Sequence, residues 1–307
     1  MYNEELKNRF MAGYGNSGRG KAAVRDIFRA FEPYEKKRGT DLCALSVEEM
    51  KSAIDEIKAP HTSNEFFQLM VLKDYSRWCV TQKVPGAYDA ISQIQVKGAD
   101  AVRKQMVSGP AELQRYLDIV FDDTAKQTTD IRCRTYLWLA FSGVKEEDVL
   151  KIRSDDIDLP AMRIYLPNGG ACPIYPEASF TLYLAATLKD FAFFHPYYIG
   201  ERRKRVDSDI LLRGIKSNGS ITAIRAEVSD GAAKANERGE ITQRLSYNRV
   251  YMSGEFFRAY EDEQAGCEVS FRKFAEKESP NLKKEYLRRK ASEYKRDYLQ
   301  WKLTFKY

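Results

Sequence analysis

The sequence predicts a mainly α-helical protein with one small antiparallel β-sheet, arranged as two domains. Apolar residues recur at helical spacing over most of the chain, and they alternate with polar residues only within 156–176. A glycine-containing polar stretch at 98–110 separates two helical regions. With 307 residues the chain is long enough for two cores. We therefore predict domains at 1–97 and 111–307, joined by a linker at 98–110.

The first domain is predicted to hold four or five helices. Ser46 followed by Glu49 is a capping-box pattern, and Ser63 or Asn64 is placed to cap the last long helix. The predicted helices run from Glu4 to Met11, Val24 to Tyr34, Val47 to Ile57 and Phe66 to Trp78.

The second domain is predicted to be helix-rich, with its sheet near the start. Met162, Ile164 and Leu166 alternate with polar residues, and the turn sequence 168–170 (Asn-Gly-Gly) follows them, which predicts a hairpin. Residues 195–244 contain five glycines and are predicted to be rich in loops. The first predicted helix begins at Pro110. The later ones are predicted at Tyr136 to Phe141, Val149 to Ile152, Ala178 to Phe191, Tyr247 to Glu263, Ser270 to Lys277 and Leu282 to Trp301.

Composition excludes several classes of protein. No window approaches the ~18 consecutive apolar residues of a membrane span, and the charged start of the chain does not resemble a secretory signal. The five cysteines are scattered singly, without a CxxC pair, which argues against a disulfide framework and a zinc site. We therefore expect a cytoplasmic protein that uses no metal and no cofactor.

Positive charge is concentrated at the end of the chain. The net charge is +6, and residues 282–307 hold nine basic and three acidic residues, so this segment carries the whole excess. A cationic, aromatic-rich segment suits a polyanion such as DNA. A solvated helix face is the alternative.

A glycine-rich segment near the N-terminus imitates a phosphate-binding loop. It contains GxGxxG at 13–18, but the preceding residues do not form the buried strand that dinucleotide and P-loop sites require. We expect Ser17 to cap the next helix. Alternatively, Arg19 and Lys21 contact a DNA backbone at the start of that helix.

Residues 141–158, FSGVKEEDVLKIRSDDID, resemble a conserved stretch of the tyrosine recombinases, the phage integrase superfamily. The helical first domain resembles their SAM-like core-binding domain, and its segment 65–80 is similar to one of that domain's helices. The resemblance extends over nearly the whole chain. It implies a core-binding domain followed by a recombinase-like domain of the catalytic type.

The resemblance also implies where a catalytic set would lie, and most of that set is missing. Lys145 stands at the first arginine position, and the hairpin at 166–174 contains no lysine. The family's HxLRH motif aligns best with 269–273, where Arg272 is kept and Lys273 replaces a histidine. Neither of the two histidines, His61 and His195, lies near this site in sequence.

A nucleophilic tyrosine is expected about thirty residues beyond Arg272. Tyr298 and Tyr307 are the candidates, with Tyr294 less well placed. Tyr294 and Tyr298 share an apolar helical stripe with Trp301, which favours a role in the core. Losing so many charge-stabilising groups argues against catalysis.

The leading interpretation is a sequence-specific double-stranded DNA-binding protein on an inactive recombinase scaffold. It is similar to phage lysogeny repressors built on that fold, as in SPβ-like prophages, and implies a phage or mobile-element regulator in a bacterial host. The alternative is a divergent active recombinase that uses Tyr298 or Tyr307 with Arg272 and Lys145. A third interpretation is an accessory protein that uses its basic tail for partners.

Candidate DNA contacts fall into two groups. Arg244, Asn248 and Arg249 are suited to reading base edges, so Arg249→Ala is predicted to relax specificity. Phosphate contacts are predicted to be sequence-independent, so Lys21→Ala should weaken all binding evenly. The predicted phosphate contacts are Arg19, Lys21, Lys145, Arg272, Lys273 and the basic run at 201–205. The C-terminal helix or tail is a candidate for self-association.

Overall fold

A computed structural model of the chain describes residues 1–13, 18–57, 62–94, 98–121, 127–187, 190–192, 202–204, 206–213 and 219–307. The predicted fold class, mainly α with a small antiparallel sheet, is confirmed. The helices are α1 (Glu4–Gly13), α2 (Gly18–Arg38), α3 (Val47–Glu56), α4 (Thr62–Thr81), α5 (Ala99–Arg103), α6 (Pro110–Val120), α7 (Gln127–Ser142), α8 (Pro176–Thr187), α9 (Ile221–Glu237), α10 (Tyr247–Gln264), α11 (Phe271–Glu278) and α12 (Lys284–Phe305). The strands are β1 (Ile157–Asp158), β2 (Arg163–Tyr165), β3 (Ala171–Pro173), β4 (Asp190–Ala192) and β5 (Arg202–Lys204).

The chain forms two compact units. The split unit combines Met1–Ala99 with Ser270–Tyr307, and the middle unit is Asp100–Val269. The predicted first boundary falls at 97/98, and the first segment of the split unit ends at Ala99. The predicted second domain, 111–307, differs from the observed grouping because its last 38 residues, Ser270–Tyr307, pack with the first segment of the chain.

The split unit is a helical bundle closed over a buried cluster of charges. Lys7 of α1 donates to both oxygens of Glu35 at 2.6 and 2.5 Å, and all three atoms lie in the interior. Asp41 accepts from the Tyr75 hydroxyl at 2.9 Å. The predicted capping box is confirmed, since the Ser46 hydroxyl accepts from the Glu49 amide while the Glu49 carboxylate accepts from the Ser46 amide.

The end of the chain completes the split unit by packing along α4. Tyr298 and Trp301 are fully buried, and Trp301 stacks on Tyr307 with ring centroids 4.9 Å apart. Lys73 of α4 donates to the Tyr307 carbonyl at 2.7 Å, and Arg77 donates to the carbonyl of residue 306 at 3.2 Å. These cations therefore bind the carbonyls of the two residues that follow α12, near the negative end of the helix dipole.

The middle unit is built around α7, whose residues 136–141 are fully buried. Helices α8, α9 and α10 pack against α7, and β1, β2 and β3 form an antiparallel sheet in that order. Ile164 of β2 pairs with Cys172 of β3, and the turn between them has Gly169 at φ +84°. The predicted hairpin is thus confirmed.

The structure differs from the prediction at several element boundaries. Residues 221–237, predicted as loop, form α9, which Ser220 caps by accepting from the Ala223 amide. Gly231 lies inside α9, where a Cβ would approach Val120 to 3.0 Å, so this glycine permits a close helix contact rather than ending the helix. Helix α8 ends at Thr187 rather than at residue 191, and α12 continues to Phe305.

The predicted linker is structured. Its residues 99–103 form α5, and Val107 is buried in the middle unit, where its amide donates to the Ser253 hydroxyl at 3.1 Å. Its backbone also accepts a hydrogen bond at Lys104 from the Arg244 amide, at 2.9 Å. Within the described ranges, no helix combines the length and apolarity that crossing a bilayer requires.

Candidate nucleic-acid interface

Lys145 lies in a tight loop that leaves the C-terminal end of α7. The Val144 amide donates back to the Leu139 carbonyl at 3.0 Å, and the Asp148 amide donates to the Lys145 carbonyl at 2.9 Å. Gly143 adopts φ +94°, a left-handed conformation that favours glycine and reverses the chain at the helix end. The loop thereby holds a half-buried lysine at a fixed place.

Arg258 of α10 supports this loop from beneath. Its guanidinium donates to the Phe141 carbonyl and pairs with Glu255 at 2.9 Å, and its side chain is 19% exposed. A Cβ at Gly143 would lie 2.6 Å from the same guanidinium. Sequence reasoning missed Arg258, although an arginine at helical spacing from Gly254 among aromatic residues was a usable signal.

The close approach of α10 to α7 brings the start of α10 to the Lys145 loop. At Gly254 a Cβ would lie 2.0 Å from the Phe141 carbonyl oxygen, so the two backbones are in contact there. Near the N-terminal end of α10, the Tyr247 hydroxyl donates to the Val144 carbonyl at 2.7 Å. Lys145 therefore directly follows a residue bonded to the first turn of α10.

Arg249 is in that same first turn. Its side chain is half-buried, and its Nη1 is shielded from solvent without a hydrogen-bond partner among the described residues. The Ser246 side chain makes no capping hydrogen bond to the helix. A helix start with a cation and uncapped N–H groups is a favourable place for an anion.

The carboxylate of Glu146, which follows Lys145 in the chain, is bound by partners on α7 and α9. Arg225 of α9 and the Tyr136 hydroxyl both hydrogen-bond to its carboxylate. The hydrogen bond from Arg225 lowers the pKa of Glu146, and burial raises that of Tyr136. Because Glu146 is committed to Arg225, its negative charge is partly compensated on the α9 side of the loop. Arg225 was not among the predicted residues, since the segment that carries it was predicted as loop.

The other predicted base-reading residues lie beside Arg249. Arg244 and Asn248 have exposed side chains, and Arg244 precedes α10 in the middle unit. The structure thus groups Lys145, Arg244, Asn248 and Arg249 around the start of one helix.

The remaining predicted DNA contacts whose side chains are described belong to the split unit. Arg272 and Lys273 are exposed in the first turn of α11, and Arg272 pairs with Glu276 at 2.9 Å. Lys21 on α2 is half-buried and donates to the Ala12 carbonyl at 3.4 Å. The side chain of Arg19, the cap at Ser17 and the side chains of the 201–205 run lie outside the described residues.

The two candidate nucleophiles also belong to the split unit. Tyr298 is fully buried, 5.2 Å from the Phe271 ring centroid and 6.2 Å from Trp301. Tyr307 is half-buried and stacks on Trp301. Both histidines lie outside the described residues, and the described residues contain no cluster of three or more His, Cys, Asp or Glu placed to hold a metal.

Comparisons with known proteins give one family match. Residues 1–82 match the family model described as MrpR, N-terminal core-binding domain. No curated protein matches the chain.

Among solved structures, the chain is similar to a XerA recombinase (13% identity, TM-score 0.37, covering 94% of this chain and 96% of the other). It is also similar to the integrase from mycobacterium phage Brujita, at 14% identity and a TM-score of 0.31, covering 96% of this chain and 91% of the other. A third similar structure is a lambda integrase dimer bound to a COC′ core site, at 12% identity and a TM-score of 0.30, covering 94% of each chain. These TM-scores are low, and no conclusion is drawn from them.

The family model covers the first 82 residues, which hold α1 to α4. This part of the chain is similar to the core-binding domain of the MrpR family.

Proposed function

We propose that the chain is a sequence-specific double-stranded DNA-binding protein, a phage or prophage transcriptional regulator on an inactive tyrosine-recombinase scaffold. The observation that carries this proposal is the cationic site at the start of α10. There the half-buried side chain of Arg249 lies in the first turn of α10, beside the loop that holds Lys145. The uncapped N–H groups of this helix start and the two cations beside them favour a phosphate at this place.

The site supports binding better than it supports strand cleavage. The hairpin at 166–174 contains no lysine to serve as a proton donor, and Tyr298, one of the two candidate nucleophiles, is fully buried in the split unit. To attack a phosphate, Tyr298 would have to leave its aromatic neighbours, at a cost of several kcal/mol, about the cost of emptying a large core position. The match of residues 1–82 to a core-binding domain is consistent with DNA as the partner.

Within the proposed site, Arg249 and Lys145 hold the DNA backbone, and Arg244 and Asn248 read base edges. The half-buried Arg249 side chain is held in place, which suits a fixed phosphate contact instead of the base-reading role expected from the sequence. The exposed Arg244 and Asn248 have the reach that groove recognition needs. The chain would act in the cytoplasm of a bacterial host. Self-association through the C-terminal helix or tail remains part of this proposal.

A library of genomic fragments, incubated with the protein at ~150 mM salt, tests the function. Half of the sample is read for retained fragments and half for adducts that survive SDS. Selective retention without adducts is expected. Retention of random fragments alone would contradict specific binding, and adducts lost on Tyr298→Phe or Tyr307→Phe would show an active recombinase.

Substitution of Arg249 tests the site. Arg249→Ala is expected to weaken binding at least tenfold, about 1.4 kcal/mol, on specific and random duplexes alike, because a phosphate contact carries no sequence information. Arg238→Ala is the matched control, since Arg238 is exposed on the same unit and already paired with Glu240 at 2.6 Å. A change in specificity alone would assign Arg249 to base reading. Equal effects of the two variants would remove the site.

A further inference from the structure

The residues around the start of α12 include several exposed cations. Residues 283–290, the basic segment, contain five cations and one carboxylate. Its cations are Lys283, Lys284, Arg288, Arg289 and Lys290. Arg289 is 79% exposed, and Tyr286 in the same segment is 52% exposed.

The basic segment is held in place by the rest of α12. Beyond residue 297 the helix is buried against α4, with Trp301 in the interior and Lys73 bonded to the last carbonyl. Helix α11 packs along the middle of α12, where the Phe274 and Tyr294 rings lie 4.5 Å apart. An anchored helix presents its exposed cations at fixed positions, which lowers the entropy cost of ordering them on a ligand.

Local carboxylates compensate little of this charge. Arg289 pairs with Glu293 at 3.1 Å, an exposed i,i+4 pair of the kind worth about 0.3–0.5 kcal/mol. Among the residues that the structure describes, no ion pair engages Lys283, Lys284 or Arg288. The segment therefore retains a surplus of positive charge that recruits counterions or a polyanion.

The chemistry of the segment fits a nucleic-acid backbone. Lysine, arginine and tyrosine all donate to phosphate oxygens, and 283–290 contains no asparagine or glutamine, the side chains that pair with adenine edges. Its exposed large apolar side chain is Tyr286, with Leu282 just before it, which is too little apolar surface for a stable protein interface.

We propose that the basic segment is a second, sequence-independent contact with the DNA backbone, carried by the split unit and separate from the site at the start of α10. This inference rests on the proposed function, because it takes double-stranded DNA as the partner. One compact unit would then contact DNA through two segments that are far apart in sequence. These are residues 1–82, which match the core-binding family model, and α12.

The test is the salt dependence of binding to a fluorescent 30-base-pair duplex of random sequence, measured from 50 to 200 mM salt with the full chain. The slope of log K against log salt is negative, and each lost phosphate contact reduces its magnitude by about 0.9. The Arg288→Gln/Arg289→Gln variant is therefore expected to reduce that magnitude by about 1.8. Lys234→Gln/Arg238→Gln removes the same charge from the C-terminal end of α9 and its cap, where each cation is paired with its own carboxylate at 2.8 and 2.6 Å. Its slope is expected to match that of the wild type.

The outcomes separate this inference from the proposed function. An unchanged slope for the Arg288/Arg289 variant, or an equal fall in the control, would overturn the inference even if genomic fragments are still selected. A shift in oligomeric state with an unchanged slope would make the segment a protein interface and overturn it too. A wild type without fragment preference would contradict specific binding alone, because the slope on random duplex still tests the segment. Thermal melts of both variants establish that the fold is kept.

Discussion

The core of the split unit contains a lysine and carboxylates, whereas the core of the middle unit contains packed aromatic and aliphatic side chains. Lys7, Glu35 and Asp41 are at most 7% exposed and lie within one network. In the middle unit, the buried hydroxyls of Thr135 and Ser253 donate to carbonyls of their own helices. The split unit thus depends on matched charges for its interior, and the middle unit depends on close backbone approach.

The first prediction breaks the charge network. Lys7→Met leaves Glu35 and Asp41 buried without their cation, and is expected to destabilise the split unit by about 3–5 kcal/mol. Lys7→Met/Glu35→Leu removes both charges and should recover most of that loss. Hydrogen exchange rates of peptides from α2 and from α7 measure the stability of the split unit and of the middle unit separately. A double variant as unstable as the single one would show that packing, not charge, matters here.

The second prediction breaks the backbone contact of the middle unit. Gly254→Ala places a Cβ 2.0 Å from the Phe141 carbonyl oxygen, and the helices must separate. The expected loss is about 3 kcal/mol, measured by exchange in α7 peptides. Gly13→Ala is the control, because a Cβ there meets nothing within 4 Å. Equal stability of the two variants would contradict the close packing of α7 and α10.

The third prediction uses pH to sharpen the contrast. Burial raises the pKa of Glu35 to about 7, against the lowering effect of Lys7. Because the folded state holds this proton more tightly than the unfolded state, stability of the split unit falls as pH rises from about 4.5 to about 7, by at most about 1.4 kcal/mol per pH unit. Urea midpoints for wild type and Glu35→Gln from pH 5 to 8 should converge towards pH 5. Parallel curves would refute the assignment.

The smallest expected effect is at the candidate site. Tyr247→Phe removes the hydroxyl that donates to Val144, and should cost the middle unit about 1 kcal/mol. Because the hydroxyl fixes the Lys145 loop, DNA binding should weaken several-fold as well. Tyr183→Phe is the control, since Tyr183 is 50% exposed on α8. Unchanged DNA binding with the stability loss would separate Tyr247 from the interface.

Local signals in the sequence were enough for many elements. The capping box at Ser46 and the Asn-Gly-Gly turn after β2 depend on neighbouring residues alone, so both were predictable. Helix α9 was missed because a glycine such as Gly231 usually indicates a turn or the end of a helix. Only the contact with Val120, which faces it in the structure, shows why a glycine is needed there. The packing of α12 on α4 depends on contacts between distant residues, which no local pattern encodes.

The candidate site was predictable as residue types but not as an arrangement. Lys145, Arg244, Asn248 and Arg249 were each named from sequence, while their grouping depends on the contact at Gly254. Arg258 and Arg225 act through the Lys145 loop, and their roles are visible only from their bonds to Phe141 and Glu146.

Because the split unit needs Ser270–Tyr307, it cannot be completed while the ribosome is still synthesising the middle unit. At about 5–20 residues per second, the intervening 170 residues, Asp100–Val269, take roughly 10–30 s to emerge. During that interval the apolar side of α4 has no α12 to cover it, and the middle unit has time to fold first. The order of synthesis thus means that the first 99 residues, although they emerge first, must wait for Ser270–Tyr307 before the split unit is complete.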